Sequence, residues 1–245
     1  MVLPGWRVGE TRWGGFAQRA RVDAGMLVPL PRGFSSRTAM MLGTAGLAAM
    51  LAVNRIRGDG NRTGGEVLVT GAGGGVGTIA VMLLARLGYQ VTALTGRAEL
   101  AEQLTRLGAS RIVGRDEVLQ PSGRVLDKET WAACVDNVGG PLLGEVLKKI
   151  RHGGMVAAVG NAGGHSWEAS VIPFILRGIT LSGIDTVMQP FEARQAAWDR
   201  LTTLFDPAAY EPLLREVRLE ALPALAAEML AGKVAGRVLV DLRNG

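Results

Sequence analysis

Five of the seven positions from Gly71 to Gly77 are glycine, and the residues on either side decide what the chain can fold into. Glu66–Thr70 (EVLVT) is a short β-branched run suited to a strand buried on both faces. From Val76 onward, apolar residues fall at Val76, Ile79, Ala80, Leu83, Leu84 and Leu87, one face of a helix. Gly88 ends that helix and Val91–Leu94 reads as a second strand. A turn so stripped of side chains lets backbone N–H groups and the positive helix end approach a pyrophosphate. The register is A-x-G-x-x-G over Ala72, Gly74 and Gly77, with alanine at the first position of the usual fingerprint. The pattern predicts a dinucleotide site; the alternative is a merely tight turn between parallel strands.

The end of the second strand decides which dinucleotide. A carboxylate there suits the ribose 2′-OH of NAD, whereas a cation suits the 2′-phosphate of NADP. The chain places Thr95-Gly96-Arg97 there, with no acid before Glu99. A charge-assisted hydrogen bond contributes about 1.5–3 kcal/mol, so Arg97 alone favours NADPH by roughly tenfold to a hundredfold. Arg111 adds to the same patch, unless both arginines are simply solvated surface charges. NADPH is the expected cofactor.

Strand and helix patterns alternate beyond this unit. Arg111–Val113, Trp131–Val135, Gly154–Gly160 and Ile179–Asp185 read as further strands. Helices are expected over Arg37–Asn54, Ala98–Leu107, the segment after Pro141, Gln189–Phe205 and Pro223–Leu230. This is an α/β chain with a doubly wound parallel sheet of the Rossmann kind. Ligands lie outside the carboxyl ends of such strands. Those ends are Gly71–Val76, Thr95–Arg97, Asp136–Gly139, Gly160–Gly164 and Asp185-Thr186. Residues 1–31 read as irregular β pieces, and the final strand Arg237–Leu242 is expected to return and pair with them.

The net charge of +5 comes mostly from scattered arginines, without the basic run or interleaved aromatics that nucleic-acid binding calls for. No unbroken apolar run suits a bilayer span, and a single cysteine, Cys134, fits a reducing compartment, here the cytoplasm. One cysteine and two histidines (His152 and His165) do not make a zinc site. Neither a nucleophile elbow nor a paired-carboxylate arrangement is visible. No catalytic side chain is singled out, so a bound cofactor would carry the reaction.

The segments GWRVGETRWGGFAQ, MLGTAGLAAM, VTGAGGGVG, LTGR, LGASRIVGRDE, VDNVGG, VGNAGG, VIPFILRGITLSGID and GRVLV resemble, in order, the zinc-independent medium-chain dehydrogenase/reductases. Within them the resemblance is to the acryloyl-CoA reductase and quinone-oxidoreductase-like branch. It implies NADPH, a homodimer built by pairing sheets edge to edge, and reduction of an electron-poor C=C in an enoyl thioester, enone or quinone. It places phosphate contacts at Gly73, Gly74, Gly75 and Val76, and 2′-phosphate contacts at Thr95, Gly96 and Arg97 with Arg111 nearby. Nicotinamide-side contacts fall on Asn161, Ile175 and Thr186, and Thr44 stands where zinc-dependent relatives carry a metal-binding cysteine. Family members open with a GroES-like domain whose first strands precede GWRVGE. The implied organisation is therefore a partial GroES-like domain from residues 1–35 and 206–245 around a Rossmann domain at 36–205. Such a chain binds NADPH with or without turnover, and its unpaired β edges favour self-association.

Overall fold

The computed structural model describes residues 1–58, 65–120 and 122–242. The expected loop before the first strand falls largely on residues 59–64, outside the described residues. In chain order, α1 (Ser36–Gly58), β1 (Glu66–Val69), α2 (Gly75–Arg86), β2 (Gln90–Leu94), α3 (Ala101–Arg106) and β3 (Arg111–Val113) come first. Then follow α4 (Arg115–Leu119), β4 (Trp131–Asp136), α5 (Gly140–Leu147), β5 (Ile150–Ala158), α6 (Ile172–Arg177) and β6 (Thr180–Gly183). The chain closes with α7 (Phe191–Leu204), α8 (Pro207–Tyr210), β7 (Leu214–Arg218), α9 (Leu222–Leu230) and β8 (Arg237–Asp241).

Six strands form one sheet in the order β3-β2-β1-β4-β5-β6, every neighbouring pair parallel. Successive side chains of a strand point to opposite faces, and the core divides accordingly. Val67, Val69, Ala133, Val135, Met155 and Ala157 pack toward α1, α2 and α7, with Met50, Leu83 and Trp198. Leu68, Cys134 and Val156 pack the other way, against Leu143, Val146 and Leu147 of α5. Both faces are covered, which is why these strands read as near-continuous apolar runs.

α1 bends at Gly43, where φ is 50° and ψ is −147°. Its length and hydropathy would pass for a membrane span, contrary to the sequence expectation, yet 67% of its apolar window is buried inside the fold. It packs on α2 and α7 as a core helix.

The closing strand departs from expectation. β8 pairs in parallel with β7, Leu214 opposite Arg237 through Arg218 opposite Asp241, rather than with the opening residues. β7 was not legible because Arg215, Glu216 and Arg218 are exposed and leave no apolar run. The opening segment, residues 1–31, forms no continuous strand and contributes the isolated bridges Val2–Val28 and Val8–Arg12. The chain ends are still neighbours, since Ala17 and Gln18 share a small cavity with Arg218, Leu219 and Leu242.

Candidate nucleotide-binding site

A cleft of about 840 Å³ opens at the carboxyl ends of the central strands. Gly73, Gly74, Gly75 and Val76 line it from below, Thr95, Gly96 and Arg97 from one side, and Asn137, Gly160 and Ala162 from the other. Gly74 caps α2 in an extended conformation. Among the described residues none accepts a hydrogen bond from the N–H of Gly75, Val76 or Gly77. Those donors, at the positive end of a twelve-residue helix, suit a phosphate. A Cβ at Gly73 would lie 2.5 Å from Leu100 Cδ1, and one at Gly77 would lie 2.3 Å from the Gly71 carbonyl oxygen. At Gly77 the clash is with fixed backbone, so glycine is required there by space, whereas at Gly73 it is with the end of a side chain that can turn aside. A dinucleotide fits these residues: bare amides for its pyrophosphate and cations for its phosphate ester.

The wall between β1 and β4 is held by a buried network. Thr70 donates its hydroxyl to Asp136 Oδ1 at 2.6 Å and accepts from the Asn137 N–H at 2.9 Å. The Gly139 N–H donates to Asp136 Oδ2 at 2.9 Å, fixing the reversal that leads into α5. Asp136 has no exposed surface. Burial pushes its carboxyl above the usual range, against the lowering effect of the Thr70 hydroxyl and the two backbone N–H groups.

Arg97 is more tightly engaged than its sequence position suggested. Its Nη1 donates to the Val234 carbonyl at 2.8 Å and its Nη2 to the Gly73 carbonyl at 3.1 Å. The Gly236 N–H reaches the same Gly73 oxygen at 3.1 Å. Residues 232–237 thus form a strap over the glycine turn, and Gly232 and Val234 line the cleft. Arg237 ends the strap, its Nε donating to the Met41 carbonyl at 2.9 Å. Its Cδ lies 3.1 Å from the place of a Cβ on Gly75, and its Nη2 lies 2.7 Å from that of one on Gly43. Burial lowers the pKa of this guanidinium, but an arginine keeps its proton. Beneath it, Tyr210 hydrogen-bonds Thr78 at 2.8 Å, and burial pushes the phenol up to about 12.

Other expected contacts are distributed differently. Arg111 is exposed, its Nη2 3.6 Å from Glu117, and does not line the cleft; Arg115, not singled out from sequence, does. Its signal was available, since Gly114-Arg115 follows β3 as Gly96-Arg97 follows β2. Asn161 is exposed between the lining residues Gly160 and Ala162. Ile175 is 70% exposed on α6. Thr186 follows β6, its carbonyl oxygen 2.6 Å from the place of a Cβ on Gly5, away from the cleft wall. Thr44 is exposed just after the kink of α1. The strap had no local sequence signal, because it meets the glycine turn from some 160 residues away.

Residues 75–203 match the family model described as zinc-binding dehydrogenase. The chain is 52% identical over 243 residues to an acrylyl-CoA reductase of Ruegeria pomeroyi, an alignment covering 99% of this chain and 74% of that protein. The chain belongs to the medium-chain dehydrogenase/reductases. Within them it groups with the zinc-independent branch: it is also 42% identical to a putative quinone oxidoreductase of Bacillus subtilis, covering 99% of this chain and 74% of that one. Among the described residues no cluster of three His, Cys, Asp or Glu side chains could hold a metal. Its fold matches the crystal structure of Escherichia coli YhdH with bound NADPH at a TM-score of 0.95 and 45% identity, covering 98% of this chain and 74% of that one.

Proposed function

We propose that this member of the family is an NADPH-dependent reductase of the C=C bond of α,β-unsaturated carbonyl or thioester substrates, acryloyl-CoA-type thioesters foremost. The observation that carries the reading is the cleft itself, where three amides with no acceptor among the described residues open a helix beside arginines and no acid stands at the end of β2. Gly73, Gly74, Gly75 and Val76 hold the pyrophosphate, joined by Arg237 from beneath the strap. Thr95, Gly96 and Arg97, with Arg111 and Arg115 alongside, receive the adenosine phosphate. Bound there, the cofactor supplies a hydride. The chain's own part is to fix the dinucleotide across the switch between β1 and β4, where Asn137 and Gly160 border the nicotinamide half, with Asn161, Ile175 and Thr186 beyond. The 52% identity to an acrylyl-CoA reductase supports the thioester. A second reading, reduction of quinones or alkenals, is favoured by the putative quinone oxidoreductase among its relatives.

We infer a cytoplasmic protein and a homodimer joined through β6, one of the two outer strands of the sheet. Exposed Val171, Ile175 and Leu176 beside that strand supply the apolar area such a junction needs. NADPH oxidation measured with acryloyl-CoA, crotonyl-CoA and a quinone panel tests the activity. Preferred turnover of acryloyl-CoA supports the first reading, and turnover confined to quinones supports the second. Nucleotide binding without turnover of any of them would make the chain a binding protein instead.

A further inference from the structure

The first turn of α2 is held from inside the fold by a pair of hydroxyls. Thr78 Oγ1 donates to the Gly74 carbonyl at 2.9 Å, with the Gly75 carbonyl 3.2 Å away. Carbonyl oxygens only accept, so the one hydroxyl proton of Thr78 is spent on them. The Tyr210 phenol is then the donor in the 2.8 Å bond between the two hydroxyls. The bonds run in one direction, from Tyr210 to Thr78 to the backbone of the glycine turn. Tyr210 has no exposed surface and Thr78 is buried, so solvent does not compete for either group. Tyr210 is itself fixed. It ends α8, whose capping residue Asp206 accepts from Arg86 Nη2, in the last turn of α2, at 2.6 Å. The Asp206 N–H points at Met82 Sδ, 3.3 Å away, and the Phe205 ring lies 5.3 Å from that of Tyr210. Residues 205–210 thus brace α2 at both ends, and Tyr210 carries the brace to the end that faces the cleft.

Resting on the nucleotide reading above, we propose that Tyr210 is a positioning residue for the cofactor's pyrophosphate, acting through Thr78. A peptide unit is planar, with its N–H directed opposite to its C=O. The carbonyls of Gly74 and Gly75 therefore share their planes with the N–H groups of Gly75 and Val76. Holding the two oxygens with one hydroxyl sets the direction of two of the donors that open α2. A hydrogen bond to a phosphate oxygen weakens steeply as it departs from linearity, so the aim of these donors enters the affinity directly. Both NADPH and NADH carry the pyrophosphate, and the effect falls on them alike.

Fluorescence titration of the full chain with NADPH and with NADH, at a temperature below the melting transition of every variant, reads affinity apart from stability. Tyr210→Phe keeps the ring and removes only the hydroxyl. It is expected to weaken both nucleotides by the same factor, about threefold to tenfold. Thr78→Val breaks the link at its middle and should weaken them at least as much. Adding Tyr210→Phe to Thr78→Val should then weaken binding no further, because the phenol acts only through Thr78. Thr78→Ser, which keeps the hydroxyl, should bind as wild type does. The proposal is overturned if Tyr210→Phe binds both nucleotides as wild type does, whatever its melting temperature. It is equally overturned if the two losses add in the double variant, or if Tyr210→Phe changes the ratio of the NADPH and NADH affinities. A wild-type chain that binds neither nucleotide would overturn the nucleotide reading itself.

Discussion

At the junction of β1 and β4, Asp136 is buried with its carboxyl pKa raised, burial outweighing the Thr70 hydroxyl and the two backbone donors. Because the folded state holds this proton more tightly than the unfolded chain, the group's contribution is fully present below the unfolded value. It is lost as pH rises through the folded one. The stability of wild type relative to Asp136→Asn should therefore fall as pH is raised through that window. Denaturant melts over a pH series check this; a difference that stays flat or grows with pH contradicts it. Arg194 is a second buried polar group, donating to the carbonyls of Gln189, Val187 and Pro4 and lying 4.5 Å from the centre of the Trp6 ring. It ties the opening residues to the loop after β6. Arg194→Met should cost about 2 kcal/mol or more, because it leaves buried carbonyls short of donors. A thermal melt unchanged from wild type would show that the tie is dispensable.

Among the elements, the β1–turn–α2 unit tolerates the least change. A Cβ on Gly77 would stand 2.3 Å from the Gly71 oxygen and 2.6 Å from Ala72 Cα, both backbone atoms that cannot rotate away. Gly77→Ala should destabilise the fold by about 1–3 kcal/mol and weaken NADPH by more than about tenfold as the turn opens. A denaturant melt and a nucleotide titration check the two effects separately. This unit was legible in the sequence because strand, turn and helix signals are contiguous and the strand is buried on both faces. β5 begins at Ile150 rather than Gly154, since Gly153 and Gly154 read as a break while the register shift against β4 absorbs them. Only long-range contacts define β7 and the strap, so Val234, Gly236 and Arg237 could not be assigned to the site from their neighbours in the chain. The same holds for Asp136, whose burial depends on Thr70 arriving from another strand.

For the whole molecule, the sheet ends on one side at β6, beside the exposed Val171, Ile175 and Leu176. If two copies join there, Ile175→Glu should shift the population to monomer, and light scattering after gel filtration would read it directly. A dimer indifferent to that charge would place the interface elsewhere. The chain spans about three quarters of the acrylyl-CoA reductase it matches, 74%, and the described residues include the glycine turn and the walls of the nucleotide cleft. Nucleotide binding is therefore a property to be tested on the chain directly, apart from turnover. The deciding measurement is an equilibrium titration with NADPH and with NADH. Saturable binding in which NADPH is favoured by about tenfold or more is the predicted result. No binding at saturating nucleotide, or equal affinity for the two, would contradict it.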